Sequence, residues 1–199
     1  MIFWRARRRP GWTSQGPGVT VPRVDETSRL LAKAQRGETG AFEALVLASQ
    51  GEIWRFCAYL IGRDEADDAT QETFLAAWHA LGSFRGESSA RTWLFVIARR
   101  CALRLGERKG RWAELAAAAP TPTRRTGPGE ALELGELLAK LSLERRTAFA
   151  LTQLLGFSYA EAASVIDCPL GTVRSRVARA REDLARALAA TGEAETLLA

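Results

Sequence analysis

Two carboxylates four residues apart, Asp68 and Glu72, are the first side chains in the sequence whose spacing could support chemistry. On a helix they share one face with Gln71 and Leu75, because residues three and four positions apart are neighbours there. Paired carboxylates can act as general acid and base, but this pair has no nearby histidine, no glycine-rich phosphate loop and no metal ligands beside it. The sequence therefore disfavours an enzyme and predicts no catalytic residues. Two interpretations of the acidic face stay open: a solvated surface, or a binding face for a partner rich in Arg and Lys.

The cysteine and histidine content restricts other site chemistry in the same way. Cys57, Cys101 and Cys168 lie far apart and form no C-x-x-C pair, and His79 is the only histidine. A metal site or a histidine-based triad therefore lacks ligands. We predict no metal, no cofactor and no disulfide framework, and a cytoplasmic location.

A second candidate surface lies in the run CPLGTVRSRVARARE, residues 168–182. Projected on a helix at about 100° per residue, one side is apolar: Val173, Val177, Ala180 and Leu184. The opposite side is small, polar and basic: Thr172, Ser175, Arg176 and Arg179. Arg174 and Arg181 lie at the flank, nearer to where phosphates would be. A basic helical face is often only solvated, but a short helix, YAEAASVI, and a tight turn precede this one, which favours a helix-turn-helix that recognises duplex DNA.

A third candidate surface lies in FRGESSARTWLFVIARR, residues 84–100. A serine-rich loop leads there into a helix that carries Trp93 and four arginines, Arg91, Arg99, Arg100 and Arg104. Hydroxyl donors, cations and an aromatic surface together can hold single-stranded nucleic acid. Trp93 stays ambiguous, because an aromatic residue near a helix start is more often part of the core.

These surfaces need helices to position them, and the hydrophobic period is helical almost throughout. We predict an all-α fold of two small helical bundles, residues 25–109 and 130–190, the second containing the helix-turn-helix. Thr39 and Asp64 are expected N-caps in the first bundle, and Ser158 in the second. Residues 110–129 have the Pro, Gly and Ala content of a flexible linker. Residues 1–24 are predicted to be a disordered basic tail, and residues 191–199 a C-terminal tail.

The charge balance fits a polyanionic partner. The 199 residues include 28 Lys and Arg and 23 Asp and Glu, which gives a formal charge of +5. No apolar run reaches the roughly 18 residues of a membrane span, and the N-terminus lacks the apolar core of a signal peptide. A membrane partner is therefore not expected.

Taken in order, three segments resemble the extracytoplasmic-function (ECF, group 4) sigma factors of bacterial RNA polymerase, and look closest to the actinobacterial sigma factor C type. The segments are ADDATQETFLAAW, FRGESSARTWLFVIAR and LLGFSYAEAASVIDCPLGTVRSRVARARE. The resemblance spans roughly residues 28–188 without the linker. It implies a non-catalytic subunit, without cofactor, that directs promoter-specific transcription initiation. The first bundle would be sigma region 2, and the second sigma region 4.

The resemblance also implies roles for individual residues. In the family the acidic helix binds the clamp helices of the polymerase large subunit, and the matching positions here are Asp68, Gln71, Glu72 and Leu75, with Phe74 expected in the core. The minus-ten promoter element, held as single strand, would contact Phe84, Arg85, Ser88, Ser89, Arg91, Trp93, Arg100 and Arg104. The minus-thirty-five element, recognised as duplex, would contact Thr172, Arg174, Ser175, Arg176 and Arg179. An anti-sigma factor is a further partner that the resemblance allows.

Several positions depart from the family pattern. Arg100 stands where Asn is frequent and Arg104 where Asp is frequent, which makes the DNA-facing helix more basic. Ala69 replaces a larger aliphatic residue, Ser142 a Pro, and Asp167 a Gly in the turn.

Two other classes remain as alternatives. An ordinary helix-turn-helix regulator would need only the second bundle, so the acidic helix and the serine-rich loop argue against it. A nucleic-acid enzyme is disfavoured by the missing metal ligands and nucleophile.

Overall fold

The computed structural model describes residues 26–108, 110 and 129–191, with side chains described for 134–189 in the last range. The helices are α1 Glu26–Gln35, α2 Ala41–Ile61, α3 Ala66–Ala80, α4 Ala90–Arg108, α5 Gly129–Ala139, α6 Leu143–Phe149, α7 Tyr159–Ile166 and α8 Leu170–Thr191. A 3-10 turn, Leu81–Ser83, follows α3, and a π turn, Ala150–Leu154, extends α6. The described ranges contain no strand, so the all-α prediction is confirmed. The predicted N-terminal tail, nearly all of the predicted linker and residues 192–199 lie outside the described residues.

The helix starts test the predicted caps. Ser158 caps α7 as predicted: its Oγ accepts from Glu161 N–H at 3.2 Å, and Glu161 Oε2 accepts from Ser158 N–H at 2.8 Å. The prediction of Thr39 is wrong, since α2 begins after Gly40, whose φ of 76° is a left-handed conformation that favours glycine. The prediction of Asp64 is also wrong. A turn in which Ala66 N–H donates to Arg63 O at 3.2 Å moves the start of α3 to the residue after Glu65.

Helices α1 to α4 form the first helical group around a core of large apolar side chains. Phe56 on α2 and Phe95 on α4 are buried, with their ring centroids 5.0 Å apart. Ala69 and Ala77 bring α3 against its neighbours and are fully buried. Burial of each Phe stabilises the fold by about 1.5–3 kcal/mol. This core fixes the orientation of α3 and α4, whose outer faces carry the candidate residues.

Helices α5 to α8 form the second helical group, and the two groups pack against each other. The Phe95 ring of α4 lies 4.7 Å from the Phe157 ring, which precedes α7. Arg146 on α6 is buried, and its Nη1 donates to the Leu60 carbonyl at the end of α2, 2.9 Å away. The two predicted groups are present, and they share one continuous core.

Candidate functional site

The acidic face of α3 is exposed. The stripe Ala66, Ala69, Thr73 and Ala77 is buried, so the residues about 100° or more around the helix project outward. Asp68, Gln71 and Leu75 are exposed, and Leu75 retains 61% of its accessible surface. Glu72 is half-buried. The structure therefore brings together the four residues predicted to bind polymerase. Phe74 is only 9% exposed, which confirms its predicted place in the core.

An apolar groove of about 760 Å³ runs beside this face, between α2 and α3. Its apolar lining consists of Phe42, Val46, Trp54, Phe74, Leu75 and Trp78. Trp78 is 55% exposed, and its ring meets that of Phe42 edge-on at 5.0 Å. Asp67 marks the polar edge of the groove, since its Oδ1 accepts from Trp54 Nε1 at 2.7 Å.

Sequence reasoning missed Trp78 as a surface residue. By helical spacing Trp78 shares one apolar stripe with Phe74 and Leu81, which is the ordinary pattern of a core. Around the helix, however, Trp78 lies about 40° and Leu75 about 100° from Phe74. An apolar arc that wide, on a helix whose alanines already form the buried stripe, was the signal that could have found it.

An ion pair joins the acidic face to α4. Arg104 Nη2 donates to Glu72 Oε2 at 2.7 Å, and the same nitrogen lies 3.8 Å from Cys101 Sγ. The hydrogen bond to Glu72 raises the pKa of Arg104. Two residues that the sequence assigned to different surfaces, polymerase binding and the minus-ten element, are therefore in direct contact.

The serine-rich loop is held at both ends. Gln35 Nε2 donates to the carbonyls of Leu81 and Phe84, at 3.0 and 2.8 Å. At the other end, Ser89 Oγ accepts from Thr92 N–H at 3.1 Å, which is the contact of an N-cap. Arg85 and Ser88 between these anchors are exposed.

Trp93 lies between the core and the surface. It is half-buried, and its ring lies 5.2 Å from that of Phe84. The pair joins the loop to α4 and leaves part of an aromatic surface accessible. Arg100, two turns further along α4, is exposed.

Arg91 faces the second helical group rather than the loop. Its guanidinium pairs with Glu52 at 2.9 and 3.3 Å, donates to the Leu155 carbonyl at 2.5 Å and lies 3.9 Å from the centre of the Phe157 ring. In this arrangement its Nε and Nη2 donors are committed to protein partners.

Helix α8 has the two sides that its sequence predicts. Val173, Val177 and Ala180 are at most 2% exposed. On the opposite side Ser175 and Arg179 are exposed, as is Arg174 at the flank, while Thr172 and Arg176 are half-buried. Arg181 at the other flank donates to Gln153 Oε1 at 2.6 Å.

The turn between α7 and α8 is tight. Asp167 adopts φ 60°, a left-handed conformation that Asp tolerates better than most residues. Cys168 Sγ, just after it, lies 3.7 Å from Arg176 Nη1. The turn and the two helices form the predicted helix-turn-helix.

Two cations approach each other where α4 packs against α7, close to the turn that leads into α8. The pKa of Arg99 is lowered, first by burial and then by the charge of Arg176, while Cys168 and Asp167 oppose that shift. Arg99 Nε is buried and makes no hydrogen bond within the described part of the chain. The contact between the helical groups therefore places like charges together.

The described ranges hold no cluster of metal-ligating side chains, and two of their thiols are buried. No three His, Cys, Asp or Glu side chains gather there as a metal ion would require. Burial raises the pKa of Cys57 to about 12 and also raises that of Cys101, so both thiols stay protonated near neutral pH. Among the helices of these ranges, none has the length and apolar content to cross a membrane.

Comparison with known proteins gives consistent matches. The family model "Sigma-70 region 2" matches residues 45–111, and "Sigma-70, region 4" matches residues 131–184. The ECF RNA polymerase sigma factor SigC of Mycobacterium tuberculosis (strain CDC 1551 / Oshkosh) is 43% identical over 172 residues, covering 83% of this chain and 93% of that protein.

Two solved structures are also similar. CnrH in complex with the cytosolic domain of CnrY has a TM-score of 0.69 at 30% identity, covering 83% of this chain and 99% of CnrH. The sigma factor RpoE of Bartonella quintana, solved with the anti-sigma factor NepR, has a TM-score of 0.61 at 29% identity, covering 75% of this chain and 98% of RpoE.

Proposed function

The chain belongs to the extracytoplasmic-function sigma factors of RNA polymerase, and on that premise we propose which of its surfaces contact polymerase and promoter. Sigma factors are non-catalytic subunits that bind polymerase core and DNA, and this one directs promoter-specific transcription initiation. The proposal concerns how its residues divide that task.

We propose that the outer face of α3 binds the clamp helices of the polymerase large subunit. The observation that carries this assignment is the exposed acidic face of Asp68, Gln71 and Glu72 beside the apolar groove. Acidic side chains complement a basic partner and steer its approach. Leu75 and Trp78 supply apolar area at the centre of the contact, where binding energy is usually concentrated.

The loop and α4 are proposed to hold the minus-ten element as single strand. Exposed Arg85, Ser88 and Arg100 offer cations and hydroxyl groups, while Phe84 and Trp93 offer an aromatic surface. Stacking on aromatic side chains is worth about 1–3 kcal/mol per base. That gain offsets the few kcal/mol needed to unstack and unpair a base, so melting requires no covalent step. Ser89 supports the loop by capping α4. Arg91 joins the residues that contact the single strand once it is released from its partners in the second helical group.

The front of α8 is proposed to bind the minus-thirty-five element in the major groove. Ser175 and Arg179 are exposed for this contact, Arg174 lies where phosphates would be met, and Thr172 and Arg176 are half-covered. Each good bidentate contact to a base discriminates by about 1–3 kcal/mol. Since Arg176 lies close enough to Arg99 of α4 to lower the pKa of Arg99, we expect α8 to move away from α4 when duplex DNA binds.

We further propose an anti-sigma factor as a regulatory partner and the cytoplasm as the location. RpoE of Bartonella quintana was solved with the anti-sigma factor NepR. The exposed groove between α2 and α3 supports such a partner here, because an inhibitor covering it would also block polymerase.

Run-off transcription tests the proposed assignment of surfaces to polymerase and to the two promoter elements. The purified chain is added to polymerase core with genomic fragments, and the products reveal the promoters it selects. Core association is measured in parallel by pull-down of core polymerase with the tagged full chain. Specific transcripts that depend on both promoter elements support the assignment. If the chain fails to retain core polymerase, the proposed role of the α3 face is wrong.

A further inference from the structure

The ion pair between Arg104 and Glu72 connects the proposed polymerase-binding face to the proposed DNA-facing helix. Arg104 Nη2 and Glu72 Oε2 are 2.7 Å apart, and 54% and 33% of the two side chains remain exposed. Within the described part of the chain, Glu72 Oε1 accepts no hydrogen bond. One carboxylate oxygen is therefore fixed by Arg104, and the other is left to accept from a partner.

We propose that Arg104 is a positioning residue for Glu72, rather than a contact to the minus-ten element as the sequence predicts. This inference rests on the proposed function of the α3 face. A guanidinium that already donates to a carboxylate must break that pair to bind a phosphate, and the pair as a whole attracts phosphate only weakly. Arg104 acts through the rotamer of Glu72, which it holds before polymerase arrives.

The surroundings of Arg104 support this role. Cys101, one turn earlier on α4, is buried and lies against the guanidinium, 3.8 Å from Nη2. This contact limits the conformations of Arg104. Contacts therefore run from the buried Cys101 through Arg104 to Glu72 on the proposed binding face. An ordered Glu72 loses less side-chain entropy on binding than a free one would.

A double-mutant cycle on the full-length chain tests the proposal. Arg104→Met keeps most of the side-chain length and removes the donors, and Glu72→Ala removes the acceptor. Affinity for polymerase core is measured by anisotropy of labelled chain for wild type, both single variants and the double variant. Because both side chains are partly exposed, we expect Arg104→Met to weaken binding by a factor of about two to five. Glu72→Ala should weaken it about tenfold or more, since it removes a charged acceptor.

The diagnostic comparison is the effect of Arg104→Met on core affinity in the wild-type chain and in the Glu72→Ala variant. If Arg104 acts only through Glu72, adding Arg104→Met to Glu72→Ala causes no further loss. Arg104→Lys, which keeps the charge and a donor, restores most of the wild-type affinity. Arg108→Met, the same substitution on the last turn of α4, controls for lost charge and added apolar surface and leaves core affinity unchanged.

A second measurement separates positioning from DNA contact. At saturating polymerase, promoter opening is followed by reactivity of unpaired thymines in the minus-ten element, and we expect Arg104→Met to open promoters at the wild-type rate. Slower opening, an equal loss of core affinity in both backgrounds, or tighter core binding by Arg104→Met would each overturn the proposal. If Glu72→Ala binds core normally, the assignment of Glu72 to the polymerase face fails as well, so the two failures are distinguishable.

Discussion

Replacing Trp78 by Ala is the sharpest test of the polymerase-binding face, because sequence reasoning did not select this residue. The Trp side chain can bury about 250 Å², and 55% of its surface is exposed in the free chain. Covering that part would remove roughly 140 Å² from water, which is worth about 3.5 kcal/mol at about 25 cal/mol per Å². We therefore expect Trp78→Ala to weaken core binding about 300-fold. Trp78→Phe, which keeps the ring and less area, should lose about tenfold.

The assay is the Kd for core polymerase from anisotropy of the labelled full chain, with a thermal unfolding curve for each variant. Trp78→Ala also removes the edge-on contact with Phe42, which costs about 0.5–1.5 kcal/mol of stability. Binding is accordingly measured well below the lowest unfolding temperature. A Kd for Trp78→Ala within threefold of wild type, in a chain that is still folded, would refute the reasoning that places the groove at the polymerase contact.

Three other predictions address the remaining surfaces. Asp68→Arg combined with Glu72→Arg should abolish retention of core polymerase in a pull-down, because both substitutions place a cation opposite a basic partner; retention at the wild-type level would contradict this. Arg179→Ala should weaken binding to minus-thirty-five duplex by about 1–3 kcal/mol with core affinity unchanged, and equal transcription from promoters with intact and scrambled upstream elements would count against it. Arg146→Met should lower the free energy of unfolding by about 2–4 kcal/mol in thermal unfolding, because it leaves buried carbonyls without a donor. Arg145→Met, the control, removes only the partly exposed ion pair between Arg145 and Asp183 and should cost about 1 kcal/mol or less. Burial lowers the pKa of Arg146 to about 10, so its guanidinium stays charged in the folded and unfolded chains between pH 6 and 8, and we expect no pH dependence of stability from it there.

Local patterns were sufficient for the features that depend on one helix. The helical spacing of Val173, Val177 and Ala180 between basic residues predicted both sides of α8, and the cap at Ser158 followed from residue type alone. Thr39 failed as a cap because a glycine beside it could enter the left-handed conformation at lower cost. A preference for capping residues does not indicate which of two neighbouring positions the chain uses.

Features that depend on two helices were not available from the sequence. The groove forms where α2 and α3 pack side by side. Trp78 lies at this groove, outside the core. Arg104 and Glu72 are 32 positions apart, and Arg146 and Leu60 are 86 apart. No period or motif links such pairs. The sequence therefore predicted which helices carry the candidate residues and left the contacts between those helices unknown.

The contact between the helical groups affects the promoter binding that we propose for α8. Packing of Phe95 on Phe157 and the bonds of Arg91 and Arg146 hold the groups together. Against them, the burial of Arg99 and its approach to Arg176 are unfavourable, as the lowered pKa of Arg99 records. In the proposed binding of duplex DNA to α8, phosphates pair with Arg176, so its charge no longer opposes that of Arg99. We therefore expect the apolar contacts to favour the joined arrangement in the free chain, and the repulsion between the two arginines to lower the free energy needed to separate the groups when DNA is present.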